Sequence, residues 1–268
     1  MGDMALEQIS PAPEAPVPPR SASTVITLRD TSGGPEVLMV RRSDSVSFMA
    51  GALVFPGGRV ETTDGLDGDT AVFGQARRMA GLRELFEEAA ILAACDVRTG
   101  DPVAPLRAAE LAHRWRTAVA AGEIGFGELL AREGLTADVE RLQPLANWVT
   151  PAGSPRRFDT AFFMLRAPAG QEGVHDGREL VDSCWIRPDA ALALRETNQA
   201  LIVPVTFANL SLLIGHRDVA ALLCALAGRP LDPIHPKRVS MDGDSHIFIP
   251  AEAGYGFTTI RTPAGIVR

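Results

Sequence analysis

Two short segments constrain this chain more than anything else in it. GALVFPGGRVETTD, residues 51–64, ends an apolar run on Pro56-Gly57-Gly58. After an eighteen-residue interval, RELFEEAAIL opens at Arg83 and sets Glu84, Glu87 and Glu88 at i, i+3 and i+4. On a helix those positions share a face with Cβ atoms ~5–6 Å apart, so three negative charges converge. In a cleft with an effective dielectric near ~20 each pair repels by roughly 3 kcal/mol, which a divalent cation reverses. Fully solvated, the same cluster is a harmless acidic face. Glycines at the end of an apolar strand favour the first reading, because they let backbone approach an ion or phosphate closely and offer carbonyl oxygens.

The rest of the chain is consistent with one α/β unit. Its 268 residues are 46% hydrophobic and 22% charged, with a net charge of −7, which argues against a general nucleic-acid binder. The longest apolar runs, such as 219–228, fall short of the ~20 residues a membrane span needs, and the N-terminus lacks a signal-peptide pattern. The expected location is cytoplasmic. Cys95, Cys184 and Cys224 form no CxxC pair, which points to reduced thiols. Lys237 is the only lysine, which removes a P-loop and leaves arginine as the phosphate-gripping residue.

The proline-rich segment 1–22 reads as an unpacked tail, with a single domain over 23–268. STVITLRD from Ser23 and EVLMVRRS read as a β-hairpin turned at TSGG, 31–34. A helix is predicted over about 71–94, and a helical insert over about 104–142 with ELAHRWRTAVAAG, GELLAREG and TADVERL as its helices. Strand patterns return at 146–150, 158–167, 179–186 and 246–250, with helices at 188–195 and 206–227. Strands with helices on their faces predict an α/β sandwich. Arg156 and Arg157, ahead of the 158–167 strand, can grip a phosphate, or can simply be a solvated strand end. The histidines show no metal spacing, and Trp115 and Trp148 read as packing residues.

In the glycine turn and the carboxylate helix together, the chain resembles the Nudix hydrolases, whose box runs Gly, five residues, Glu, seven residues, Arg-Glu-apolar-x-Glu-Glu-x-Gly-apolar. Gly58, Arg83, Glu84, Leu85, Glu87, Glu88 and Ile91 match. Asp64 stands for the first Glu, Ala90 for the last Gly, and the spacer is eighteen residues instead of seven. Because alanine favours a helix interior over glycine by about 1 kcal/mol, Ala90 is predicted to let the helix continue. Upstream, LMVRRSDSVSFMAGALVFPGG resembles the LLTxRSx3Rx3Gx3FPGG motif of coenzyme A-cleaving Nudix proteins: Leu38, Arg42, Ser43, Gly51, Phe55, Pro56, Gly57 and Gly58 agree, while Met39, Val40 and Ser47 differ. The interrupted box, the helical insert and RRFDTAFF look most like the branch that includes the peroxisomal coenzyme A diphosphatases of animals. The C-terminal GIVR carries no SKL-type address, so that location does not carry over.

The resemblance implies a Nudix-type α/β/α sandwich with a mixed sheet and a helical insertion. It implies Mg²⁺ or Mn²⁺ held by Glu84, Glu87, Glu88 and the Gly58 carbonyl, and hydrolysis of a phosphoanhydride. Coenzyme A or an acyl-coenzyme A, split to 3′,5′-ADP and (acyl-)4′-phosphopantetheine, is the leading substrate class. ADP-ribose, NADH or another nucleoside diphosphate derivative is the runner-up, and a non-catalytic nucleotide-binding regulatory module is the alternative of another class. Expected catalytic residues are Arg83, Glu87, Glu88 and Glu179, the last an acid ahead of Trp185, with Asp182 as its competitor. Arg42, Ser43, Gly57, Arg156 and Arg157 are the expected substrate contacts. The expected partners are a small nucleoside diphosphate derivative and a second copy of the chain as a homodimer, with neither nucleic acid nor membrane.

Overall fold

The computed structural model describes residues 17–44, 49–65 and 71–263, together with the backbone of the two-residue strand Glu7–Gln8. Ser47, most of the tail and the C-terminal GIVR therefore lie outside the described residues. Strands β1 (Arg20–Thr31) and β2 (Gly34–Arg42) form the expected hairpin. Two short strands follow, β3 (Leu53–Val54) on β2 and β4 (Gly57–Arg59) on β1. After helix α1 (Gln75–Ala89) come α2 (Pro105–Ala120) and α3 (Phe126–Arg132), then strands β5 (Gln143–Val149), β6 (Phe158–Arg166) and β7 (Leu180–Ile186). Helices α4 (Pro188–Glu196), α5 (Pro204–Leu212) and α6 (Val219–Leu226) precede β8 (Pro233–Ile234), β9 (Lys237–Met241), β10 (Asp244–Phe248) and β11 (Thr259–Arg261).

The main sheet runs β7-β2-β1-β6-β5-β8, with β1 and β6 parallel, β5 and β8 parallel, and the remaining neighbours antiparallel. Side chains alternate across it with the period of two that a strand imposes. Val25, Leu38, Phe163 and Leu165 face α1, α2 and α3. Ile26, Val37, Met39, Phe162 and Met164 face α4, α5 and α6 and the smaller sheet of Glu7–Gln8, β9, β10 and β11. The result is the expected α/β/α layering around a mixed sheet. Among the described residues no helix is long and apolar enough to cross a membrane.

Several expectations are corrected. Segment 20–22, expected to lie outside the fold, opens β1, where Arg20 pairs with Phe158, and Glu7–Gln8 pair with β9. The TADVERL segment is not helical: Leu135–Ala137 pairs as a strand with Ala94–Asp96, and Val139–Arg141 is a single 3₁₀ turn. The helix expected over 206–227 is two, parted where Gly215 turns at φ +85° and Asp218 caps α6 through Ala221 N. Leu142 and Val139 carbonyls instead receive the Arg78 guanidinium, which ties the insert to α1.

Ala90 does not extend α1 but ends it, at φ 56° and ψ 21°. That left-handed conformation costs an L-residue roughly 1–2 kcal/mol and is the one in which C-terminal glycines are usual. Helix α1 must stop there because the chain turns into the buried stretch Ile91 to Ala94. Ala90→Gly relieves that strain against the greater unfolded-state freedom of glycine, and the expected outcome is a gain of about 0.5–1 kcal/mol, read as a melting temperature ~1–2 °C higher. A lower melting temperature contradicts this account of the helix end.

Candidate active site

Helix α1 is held at its N-terminal end by Arg77, whose guanidinium meets the Asp159 carboxylate at 2.6 Å where β6 begins. Its middle lies close on β1, since a Cβ on Gly81 would come within 2.9 Å of Val25. At its C-terminal end the orphan carbonyls find partners outside the helix. Arg116 of the insert donates to Glu87 O at 2.6 Å, and Val174 N donates to Ala89 O at 2.7 Å. The helix is thus fixed along its length with Glu84, Glu87 and Glu88 directed at the glycine turn.

Arg83 organises those carboxylates. A guanidinium has five N–H donors, and here five acceptors meet them: both Asp64 oxygens (2.9 and 3.1 Å), Glu84 Oε1 (3.0 Å), Glu87 Oε1 (3.1 Å) and Arg59 O (2.7 Å). Asp64 is 3% exposed and also accepts from Glu61 N at 2.8 Å. The residue that replaces the first glutamate of the box is therefore the buried anchor of Arg83. Burial works against the Arg83 charge, but the Asp64 hydrogen bond and the charges of Glu84, Asp64 and Glu87 together hold it further on the protonated side.

Glu88 is fixed from the other direction, its Oε2 accepting from Gly57 N at 2.8 Å. Ladder bonds Val25 N to Pro56 O and Val60 N to Ser21 O bracket the Ser23–Gly58 pair. Hydrogen-bonded pairs recur every second residue in an antiparallel ladder, so the backbone of Gly58 faces β1 and that of Gly57 faces the carboxylates. On this register the Gly57 backbone is on the carboxylate side, whereas Gly58, whose carbonyl was expected to meet the metal, pairs with Ser23 of β1. Gly58 serves differently: a Cβ there would lie 2.3 Å from Glu84 Oε1, so only glycine lets Glu84 occupy its place.

These groups line a cleft of about 480 Å³. Arg42, Arg59 and Arg156 join Arg83 on its walls, with Glu61, Asp176 and Glu179 beside the three α1 carboxylates. Ser43 is buried, and its backbone N–H holds Glu179 O at 2.8 Å, which sets the exposed Glu179 opposite α1. Arg157 is not in the cleft: its guanidinium donates to Thr150 O and Val17 O, so of the arginine pair only Arg156 faces the site. Asp182 is also outside it, 3.9 Å from Arg41. Arg59, Glu61, Asp176 and the positioning residue Arg116 were not singled out from sequence; Arg59 and Glu61 alternate along the strand leaving the turn, and that period of two is the signal that could have found them.

Burial pushes Glu84 up to about 7, with Arg83 pulling the other way. It raises Glu87 too, again offset in part by Arg83, and lifts Glu88 well above the usual carboxylate range, reinforced by the Glu84 charge. Fully ionised, the six carboxylates of the cleft would outnumber its four guanidiniums by two charges, which is why burial makes Glu84 and Glu88 hold protons. Among the described residues no three acidic, histidine or cysteine side chains already enclose one metal-sized point. Glu84 Oε2, Glu87 Oε2 and Glu88 Oε1 nonetheless have no protein donor there, and hard anionic oxygens with raised pKa values beside a backbone carbonyl are a donor set that fits Mg²⁺ or Mn²⁺.

Residues 66–213 match the family model for the NUDT19 Nudix domain. The chain belongs to the Nudix hydrolase family. It is 30% identical over 230 residues to the acyl-coenzyme A diphosphatase NUDT19 of Gallus gallus, covering 65% of this chain and 60% of that one. With the Xenopus laevis protein of the same name it shares 27% over 244 residues, covering 74% and 64%. The chain thus spans less than two thirds of the length of these relatives. Among solved structures it is similar to a NUDIX hydrolase from Alicyclobacillus acidocaldarius, with a TM-score of 0.65, 27% identity, and coverage of 80% of this chain and 99% of the other.

The raised carboxylates have a measurable consequence. From about pH 4.5 to about 7 the folded chain holds protons at Glu84 that the unfolded chain has lost, so cation-free stability falls as pH rises through that window. A divalent cation replaces those protons. The melting-temperature gain on adding Mn²⁺ is therefore expected to be small at pH 5 and largest above pH 7; a gain independent of pH contradicts it.

Proposed function

We propose that the chain is a divalent-metal-dependent diphosphatase that splits the phosphoanhydride of coenzyme A or an acyl-coenzyme A, giving 3′,5′-ADP and (acyl-)4′-phosphopantetheine. The observation that carries the reading is the convergence of Glu84, Glu87 and Glu88 with the Gly57 backbone in one cleft that also presents Arg42, Arg59 and Arg156. The names of the two relatives support the substrate class. The intact carboxylates favour catalysis over a binding-only module.

Glu84, Glu87 and Glu88 would hold Mg²⁺ or Mn²⁺ with the Gly57 carbonyl. When bound, the ion neutralises diphosphate charge and lowers the pKa of a water. Without a cation the cleft's excess negative charge opposes an anionic substrate, so binding of the diphosphate is coupled to binding of the metal. Arg42 and Arg156 offer planar forks suited to phosphate oxygens on the wall facing α1. Arg83 has no donor left for substrate, so its part is to orient Glu84 and Glu87 rather than to touch the reacting atoms. Either of two carboxylates of the cleft would take the proton of an attacking water: Glu87 on α1, or Glu179, which is exposed.

The test is to incubate the protein with coenzyme A, acetyl-coenzyme A, ADP-ribose and NADH in Mn²⁺ and resolve the products by mass. Release of 3′,5′-ADP is expected from the coenzyme A compounds, abolished by EDTA and reduced by about 10²–10⁴-fold in Glu88→Gln and in whichever of Glu87→Gln and Glu179→Gln removes the base. AMP from ADP-ribose or NADH alone keeps the metal chemistry and overturns the substrate. No cleavage of any compound overturns the enzyme reading.

A further inference from the structure

Beyond Glu87 the cleft adjoins a second and larger cavity, of about 560 Å³. Glu87, Ala120 and Asp176 line both, so the two volumes meet at the carboxylate wall. The floor of the second is a single face of α2, from Pro105 through Ala108, Ala109, Ala112 and Thr117 to Ala120, at the spacing that puts residues on one side of a helix. Fifteen residues of α-helix rise about 22 Å, so the cavity is a groove of that order that begins at the carboxylates. Its facing wall is the loop 170–174. Four of the eight α2 residues that line it are alanines, which keeps that side shallow, while His113 and Arg116 on the helix and Gln171, Glu172 and Arg178 across from it add polar and charged groups.

We infer that this groove seats the non-nucleotide arm of the substrate, a slender aliphatic chain carrying amides, with the diphosphate at its Ala120 end. The inference rests on the diphosphatase reading and gives it a direction. The arm of coenzyme A runs from phosphorus to sulfur through roughly thirteen bonds and reaches ~16 Å when extended at ~1.2 Å per bond, short enough to lie wholly along α2. Its gem-dimethyl and methylene segments match alanine walls, and its two amides need the few polar groups that such pockets supply for orientation. The nucleotide half then falls on the other side of the carboxylates, where Arg42 and Arg156 stand.

Ala109 and Thr117 are exposed residues of the groove, so a large side chain at either fills it without entering the core. Ala109→Trp and Thr117→Trp, each with its melting temperature checked, are compared with the wild type for coenzyme A hydrolysis and for inhibition by the two products. The expected result is a KM for coenzyme A and a Ki for 4′-phosphopantetheine raised at least about tenfold, with kcat and the Ki for 3′,5′-ADP held within about twofold, since ground-state binding of one arm alone is lost. If both product constants move together, or neither moves in either variant, the groove is not the arm's seat and the diphosphatase reading stands. If the wild type releases nothing from coenzyme A, that reading fails and the inference falls with it.

Discussion

The buried contact between Asp64 and Arg83 is the constraint on which the site depends. Both side chains are almost wholly removed from water, and breaking such a pair by removing one member typically costs ~3–5 kcal/mol because the other charge is left uncompensated. Here the pair also sets the geometry of the cleft. With two donors on Asp64 and one on Arg59 O, Arg83 has one NH group left, and that group holds one oxygen each of Glu84 and Glu87. Like charges that would otherwise separate are kept a few ångströms apart, with their second oxygens directed away from Arg83.

That arrangement explains why the interrupted box is tolerated. The eighteen-residue interval between Asp64 and Arg83 leaves the chain free to loop out, provided its two ends return to the same place. One end is fixed by Glu61 N on Asp64, and the other is α1 itself, whose Gln75 to Leu82 fill the last eight positions of the interval and whose Arg77 is held on Asp159. Loop-closure entropy grows only slowly with length, by ≈ 0.6 kcal/mol per doubling, so the longer spacer is a small term beside the buried ion pair. The helical insert, for its part, is joined to the site, because Arg116 of α2 holds the carbonyl of Glu87 and the same helix forms the floor of the neighbouring groove.

Much of this was legible in the sequence, and the misses share a cause. Helix spacing placed Glu84, Glu87 and Glu88 together, and alternating strand patterns located the hairpin and the three long strands that follow the insert. Whether Gly57 or Gly58 turns its backbone to the carboxylates, and whether Arg156 or Arg157 enters the cleft, depends on which way a single residue of an extended chain faces. Composition is silent on that parity, and it is set by register against β1. Ala90 misled because helix propensity favours it, while the tertiary requirement to bury Ile91 and Leu92 ends the helix there regardless. Arg116 and the α2 groove lay beyond any local pattern, since their partners are about thirty and sixty residues away in the chain.

The central claim is that Asp64, buried against Arg83, sets the geometry of the proposed metal site. Titration of Mn²⁺ into wild type and Asp64→Asn, followed by the free-ion electron paramagnetic resonance signal in samples shown to be folded, tests it most directly. The account expects affinity in the variant to fall at least about tenfold, the lower range for losing a partner that orients metal ligands. Equal affinity in the two proteins would show that Glu84, Glu87 and Glu88 find their places without the buried pair, and would contradict it.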